Sequence, residues 1–207
     1  MSKTSKKGYF ITVEGSDGVG KSTQIKNIEK YFRNIGSDVV LTREPGGTNI
    51  GEKLRSILLD VSNKEMDPLT EMLIYAASRA QHVKEVIIPA LNEGKTVISD
   101  RYIDSSLAYQ GYGRNLGRCV EDVNKYATDG IMPDKTFWLD LLPSLGRERI
   151  KNEELDRIEL EKSEFHNNVR KGYEAIAKND PKRVHRIDAS LSEDEVWNQI
   201  RVILETI

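Results

Sequence analysis

Residues 15–22 read Gly-Ser-Asp-Gly-Val-Gly-Lys-Ser, a run of the form G-x-x-x-x-G-K-[ST]. Those residue types at that spacing suit one task, holding a polyphosphate. The glycines let the backbone wrap closely around an anion with its N–H groups aimed inward. Lys21 sets a cation against the outer phosphates, and the Ser22 hydroxyl is placed to ligate Mg²⁺. All eight positions, Gly15, Ser16, Asp17, Gly18, Val19, Gly20, Lys21 and Ser22, form the expected nucleotide-binding segment.

A second set of chemical groups follows Thr96-Val97-Ile98-Ser99-Asp100, a short apolar run closed by a carboxylate. An acid there can orient Mg²⁺ or its water shell, or it can cap a helix. Arg101 comes next and can pair with that acid or clamp a phosphate group bidentately.

These residues need elements to carry them. Tyr9 to Glu14 is an apolar, β-branched run that reads as a buried strand, and Ile25, Ile28, Tyr31 and Phe32 recur at helical spacing before Gly36. The motif therefore sits between a strand and a helix, the setting it requires. Further strands are expected at 38–42, 96–99, 135–139 and 183–187. Helices are expected at 21–35, 51–60, 67–93, 104–111, 119–128, 143–150, 160–179 and 192–206. Alternation of five short apolar strands with helices predicts an α/β fold with a five-stranded parallel sheet covered on both faces. Ligands of such sheets lie at the carboxyl ends of the strands, so Gly15, the Arg43-Glu44-Pro45 turn, Asp100 and Asp188 should share one rim.

Bulk properties narrow the function classes. The 207 residues are enough for one domain with a substantial core, at 38% hydrophobic and 31% charged, and we expect a single domain over 9–207. The net charge of −2 gives no global pull toward nucleic acid. A single cysteine, Cys119, excludes an intrachain disulfide and a cysteine metal cluster. No apolar run approaches membrane-spanning length. Residues 1–8 carry three lysines without an apolar stretch behind them and are expected to be a frayed tail, not a secretory signal; a cytoplasmic location follows as the default.

The run Asp100-Arg101-Tyr102-Ile103-Asp104-Ser105-Ser106-Leu107-Ala108-Tyr109-Gln110-Gly111 resembles the signature segment of thymidylate kinases. Thr42-Arg43-Glu44-Pro45-Gly46-Gly47-Thr48 is similar to the turn after the second strand in bacterial members. Tyr75-Ala76-Ala77-Ser78-Arg79 and Leu155-Asp156-Arg157-Ile158-Glu159 match as well, in the family's order. The resemblance implies a phosphate-loop nucleoside monophosphate kinase fold and transfer of the γ-phosphoryl group of ATP to dTMP, a step toward dTTP. It also implies Mg²⁺ and a homodimer. By the same resemblance Arg101, with Arg55 a second candidate, holds the acceptor phosphate, Asp17 contacts the sugar 3′-hydroxyl, and Glu44 lies near acceptor and metal. Tyr75 stacks on thymine and Arg79 reaches the base edge. Ser105, Ser106 and Gln110 line the pocket, and Tyr109 crowds the sugar 2′ position.

None of Ser16, Asp17, Gly18 and Val19 is cationic, so positive cover for the transferring group must come from outside the loop. Arg147, Arg149, Lys151 and Arg157 supply it, lying in a segment that matches the family's mobile lid, about 143–159; Arg149 is the first candidate and Arg147 the second. Their acidic neighbours Glu148, Glu153, Glu154 and Asp156 also fit an ordinary salt-bridged helix. Three other functions share features of the chain. Another nucleoside monophosphate kinase or a deoxynucleoside kinase would differ in the acceptor pocket. A GTP-driven switch would need Asn-Lys-x-Asp, yet neither Asn63-Lys64 nor Asn124-Lys125 has Asp two residues on. An inactive binding protein is disfavoured by the presence of Lys21, Ser22, Asp100 and Arg101 together.

Overall fold

The computed structural model describes residues 8–152 and 154–207. Residues 1–7 of the expected tail and Glu153 of the expected lid lie outside them. Gly8 does not belong to a tail: it is buried, and a Cβ on it would stand 2.0 Å from the Lys95 carbonyl oxygen.

Strands β1 (Phe10–Glu14), β2 (Val39–Arg43), β3 (Thr96–Asp100), β4 (Lys135–Asp140) and β5 (Val184–Asp188) form one sheet in the order β2-β3-β1-β4-β5. Every neighbouring pair is parallel. The helices are α1 (Lys21–Asn34), α2 (Asn49–Leu59), α3 (Pro68–His82), α4 (Ile88–Asn92), α5 (Ile103–Ser106), α6 (Cys119–Ala127), α7 (Pro143–Arg149), α8 (Ser163–Asn179) and α9 (Glu193–Leu204).

Alternation along β1 decides what each face carries. Ile11 and Val13 point into a core shared with Ile28 and Phe32 of α1, Ile98, Phe137 and Leu139 of the sheet and Ile200 and Leu204 of α9. Phe10 faces the other way, against Val83, Ile87, Val97 and Tyr102. By the same period Thr12 and Glu14 share the face of Phe10; Thr12 bonds Thr136 at 2.7 Å and Glu14 is fully buried.

Two expected helices are locally distorted. The predicted 67–93 helix contains a wide turn at Val83–Ile87 between α3 and α4. Pro89 has no N–H to continue the regular ladder, and widening the turn ahead of it relieves the mismatch. The predicted 104–111 helix passes at Leu107 into a second wide turn, Leu107–Gly113, which packs on α8. Glycine-rich Gly111–Gly113 permits the close approach, since a Cβ on Gly113 would stand 2.7 Å from the Phe165 ring.

The connection from β1 leads to β2 on one side of the sheet, and that from β3 leads to β4 on the other. The crevice where chain direction reverses therefore opens between the carboxyl ends of β1 and β3. Gly15 leaves β1 there, and Asp100 and Arg101 leave β3.

Candidate active site

The Gly15–Ser22 loop spans β1 and α1 as expected. Lys21 is buried in the first turn of α1, and its Nζ donates to Gly15 O at 3.2 Å, Ser16 O at 2.9 Å and Asp17 Oδ1 at 3.3 Å. The lysine is folded back into the loop and held by carbonyls that an arriving polyphosphate would outbid. Ser22 is exposed in the same turn. Gly18 adopts φ +76°, and a Cβ there would lie 2.2 Å from the carbonyl oxygen of Gly146 in α7. Helix α7 thus rests directly on the loop. Gly18→Ala is expected to cost about 2 kcal/mol from the left-handed backbone and the clash, roughly 4–8 °C in melting temperature. A thermal melt checks it.

Asp100 ends β3 beside the loop, with its Oδ1 buried and unpartnered among the described residues. Arg101 takes a left-handed backbone, φ +69°, rare for a residue with a side chain. Two bonds hold it there: its N–H donates to Val13 O at 3.0 Å, and Ser99 Oγ donates to its carbonyl at 2.7 Å. That backbone turns the guanidinium toward the loop. Nη2 meets Asp17 Oδ1 and Oδ2 at 3.0 and 3.2 Å, Nη1 meets Ser105 Oγ at 3.3 Å, and Cζ lies 5.2 Å from the centre of the Tyr109 ring. Burial opposes ionisation of Asp17, but Arg101 and then Lys21 more than overcome it and hold its carboxyl well below the usual carboxylate range. Burial pushes the Tyr109 phenol up to about 12, so it stays neutral beside Arg101.

From Asp17 a cleft of about 560 Å³, mouth included, runs between α2, α3, α5 and the Leu107–Gly113 turn. Glu44, Arg55, Tyr75, Arg79, Arg101, Ser105, Ser106, Tyr109 and Gln110 all line it. Tyr75 stands half-buried on the cleft wall. Burial and the nearby Glu71 push its phenol well up, which leaves a neutral ring face. Arg55 is half-buried, with Nη1 donating to Pro45 O at 3.0 Å. Burial followed by the neighbouring Arg43 lowers its pKa.

Arg79 is 1% exposed and heavily committed. Nε donates to Glu44 Oε2 at 2.8 Å, Nη1 to Ser106 Oγ and Asn124 Oδ1, and Nη2 to Tyr102 O. Those four bonds leave one N–H on Nη2 for a ligand, so the cleft offers a single fixed donor there and not a mobile cation. Glu44 is equally fixed, its other oxygen meeting His82 Nδ1 at 2.9 Å while His82 Nε2 meets Thr42. Gln110 donates to buried Glu71 at 3.0 Å, which leaves its carbonyl oxygen for other partners.

A second cleft lies under α7 and shares Ser16, Asp17 and Tyr109 with the loop and the first cleft. Arg149 reaches back to donate to Gly18 O at 3.3 Å. Arg147 lines this second cleft and donates to Glu159 O at 3.3 Å. Burial, then Arg147, lower the pKa of His166 on the same wall, so that ring adds no charge at neutral pH. Arg157 leaves the expected pool of lid cations. It is buried, with Nε on Leu58 O and Nη2 2.7 Å from Glu71 Oε2, and it anchors the segment instead of covering phosphates.

The thymidylate kinase family model matches residues 13–200, a span that contains the loop, both clefts and α7. The chain belongs to the thymidylate kinase family. A thymidylate kinase of Clostridium novyi (strain NT) is 47% identical over 203 residues, spanning 96% of this chain and 99% of the relative. One of Thermoanaerobacter sp. (strain X514) is 51% identical over 183 residues, 88% and 90% of the two chains. The crystal structure of thymidylate kinase from Ehrlichia chaffeensis superposes with a TM-score of 0.77 at 36% identity, covering 95% of this chain and 98% of that one.

Within this thymidylate kinase fold, several groups escaped the reading of the sequence. Asp156, Leu59 and Ile158 line the first cleft. Asn124 and His82, far apart in sequence, fix Arg79 and Glu44. Asp156 had a local signal: its Oδ1 accepts from the N–H groups of Ile158 and Glu159, the turn chemistry that an Asp-x-x pattern supports. Asn124 and His82 had none, because only tertiary folding joins them.

Proposed function

We propose that the chain transfers the γ-phosphoryl group of ATP to dTMP, giving dTDP and ADP, with ATP on the Gly15–Ser22 loop and dTMP in the first cleft. One observation carries the arrangement. The loop cation Lys21 and the acceptor-side cation Arg101 converge on a single carboxylate, Asp17, at 3.3 and 3.0 Å. Two phosphate groups drawn to those cations would meet end to end at that point. Phosphoryl transfer asks mainly for such positioning and charge cover. The acceptor is already a phosphate oxygen anion, so no strong general base is needed.

In this reading Tyr75 supplies a ring face to thymine, the remaining Arg79 N–H and the Gln110 carbonyl face the base edge, and Tyr109 fills the space a ribose 2′-hydroxyl would need. Arg101, with Arg55 behind it, holds the acceptor phosphate. Mg²⁺ fits the same rim. The buried, unpartnered Asp100 Oδ1 and the exposed Ser22 hydroxyl are hard oxygen donors of the kind that holds Mg²⁺ or its waters beside phosphate. When bound, the ion supplies neutralisation of phosphate charge.

Residues 143–159 act as the lid. Arg149 is the cation that covers the transferring group, and its bond to the Gly18 carbonyl puts it at the loop. Arg149→Ala is expected to lower turnover more than tenfold with the KM for dTMP nearly unchanged. Unchanged turnover would pass the role to Arg147. We further propose a homodimer and a cytoplasmic location. Exposed Leu69 and Leu73 on α3 and Tyr126 on α6 support the dimer, and sedimentation analysis tests it. Among the described residues no helix is long and apolar enough to cross a membrane.

A coupled assay of ADP release with dTMP, dUMP, dCMP, dGMP and thymidine tests the acceptor. The expected preference is for dTMP; preference for thymidine would reassign the chain as a nucleoside kinase.

A further inference from the structure

Glu14 is fully buried at the end of β1, one residue before the phosphate loop. Its carboxyl group is surrounded by donors. Oε1 accepts from the Tyr102 N–H at 2.8 Å; Oε2 accepts from Ser105 Oγ at 2.6 Å and from the Tyr173 hydroxyl at 2.9 Å. Ser105 Oγ in turn accepts from Arg101 Nη1 at 3.3 Å. Tyr102 and Ser105 bracket the segment that begins at the strained Arg101 backbone. One carboxylate therefore ties the acceptor segment to the strand that feeds the loop.

We propose that ionised Glu14 is a positioning residue for the acceptor clamp: it draws the Ser105 hydroxyl hydrogen to itself, turns the oxygen lone pair toward Arg101, and so fixes the guanidinium that receives the acceptor phosphate. This rests on the assignment of Arg101 above.

The direction of each hydrogen in the chain decides how Arg101 is held. With Glu14 ionised, both neighbouring hydroxyls must donate to it, and Ser105 has only lone pairs left for Arg101. With Glu14 protonated, or replaced by Gln, the group carries a hydrogen of its own; donated to Ser105 Oγ, it turns the serine hydrogen away toward the Tyr173 hydroxyl 3.0 Å off and leaves Arg101 to share that oxygen with a second donor. The charged and titratable groups around Glu14 are Asp104 of α5, Arg101, Tyr173 of α8 and Tyr109; Asp104 is held bidentately by Arg183 at 2.6 and 2.9 Å. Burial, then Asp104, push the Glu14 carboxyl up to about 7, against the pull of Ser105, Arg101 and Tyr173. The switch between the two hydrogen-bond directions thus falls in an accessible range.

The test is the pH profile of kcat/KM for dTMP, which reports the free enzyme, in wild type and E14Q. At pH 8.5 E14Q is expected to lose about tenfold, with the KM for ATP within twofold of wild type. As pH falls through about 7 the two proteins should converge, because wild-type Glu14 gains its proton and comes to resemble the amide. Titration of the substrate phosphate is common to both and cancels in the ratio. A loss under threefold at pH 8.5, a ratio that stays flat with pH, or an equal rise in both KM values overturns the proposal. If E14Q fails to fold, Y173F decides: loss of one donor to the carboxylate should move the acid limb of the profile to higher pH, and an unmoved limb overturns the proposal. R101K, measured alongside, separates the two levels. If R101K raises the KM for dTMP and E14Q does not, the positioning role fails while the clamp stands; if R101K leaves that KM unchanged, both fail.

Discussion

Replacing Lys21 with methionine lowers kcat by roughly 10²–10³ and leaves the melting temperature nearly unchanged. Methionine keeps the length and apolar stem of the side chain and removes its charge. The lysine is buried, so no bulk water stands ready to replace that charge when phosphates converge on the loop. Preorganised cations in water-poor sites contribute on this scale to phosphoryl transfer. Stability is spared for two reasons. No buried charge is stranded when Lys21 goes, because the Asp17 side chain is 40% exposed, and Asp17 keeps both of its oxygens on Arg101 Nη2. Steady-state kinetics and a thermal melt check both halves; a kcat within tenfold of wild type would remove Lys21 from the transferring group.

Arg101→Ala is expected to act on the other substrate. The KM for dTMP should rise by about 10²-fold, since a bidentate contact from guanidinium to phosphate comprises two charge-assisted bonds of about 1.5–3 kcal/mol each before partial compensation by water. The KM for ATP should change little. Alanine meets the same backbone strain at φ +69°, so the substitution tests the guanidinium and not the turn. Its second consequence is electrostatic: Asp17 loses the larger of the two cations that hold its pKa down, and that pKa should climb toward the ordinary carboxylate range. Variation of each substrate at saturation of the other separates the effects. Equal changes in both KM values would contradict a dedicated acceptor clamp.

The contrast between these two residues marks what the chain discloses before folding. Lys21 was legible because a phosphate loop is local: eight consecutive residues carry the whole signal, and strand and helix periodicity frame it. The five strands were legible for a related reason. The central strands β1, β3 and β4, covered on both faces, read as short apolar runs, the edge strands β2 and β5 are only partly buried, and each predicted boundary falls within one residue of the observed one. The wide turns at Val83–Ile87 and Leu107–Gly113 were not, because a helical hydrophobic period does not distinguish one extra residue per turn. Arg101 was legible as a residue type but not as a conformation; its left-handed backbone and its pairing with Asp17, 84 positions away, depend on β1 and β3 lying side by side. Arg157 misled for the opposite reason. It sits among lid charges in sequence, yet the partner that buries it, Glu71, comes from α3. Glu14 was legible only as the last residue of a buried strand; its donors, the Tyr102 N–H, Ser105 of α5 and Tyr173 of α8, come together only in the fold.

Label transfer from γ-labelled ATP follows the phosphoryl group itself. The purified protein is incubated with Mg²⁺, the labelled ATP and dTMP, and the products are separated. Two nucleotides held end to end between Lys21 and Arg101 predict label in dTDP, in proportion to ADP formed, with little in free phosphate. Label that appears only in free phosphate, or that stays in ATP, would contradict end-to-end transfer from ATP to dTMP.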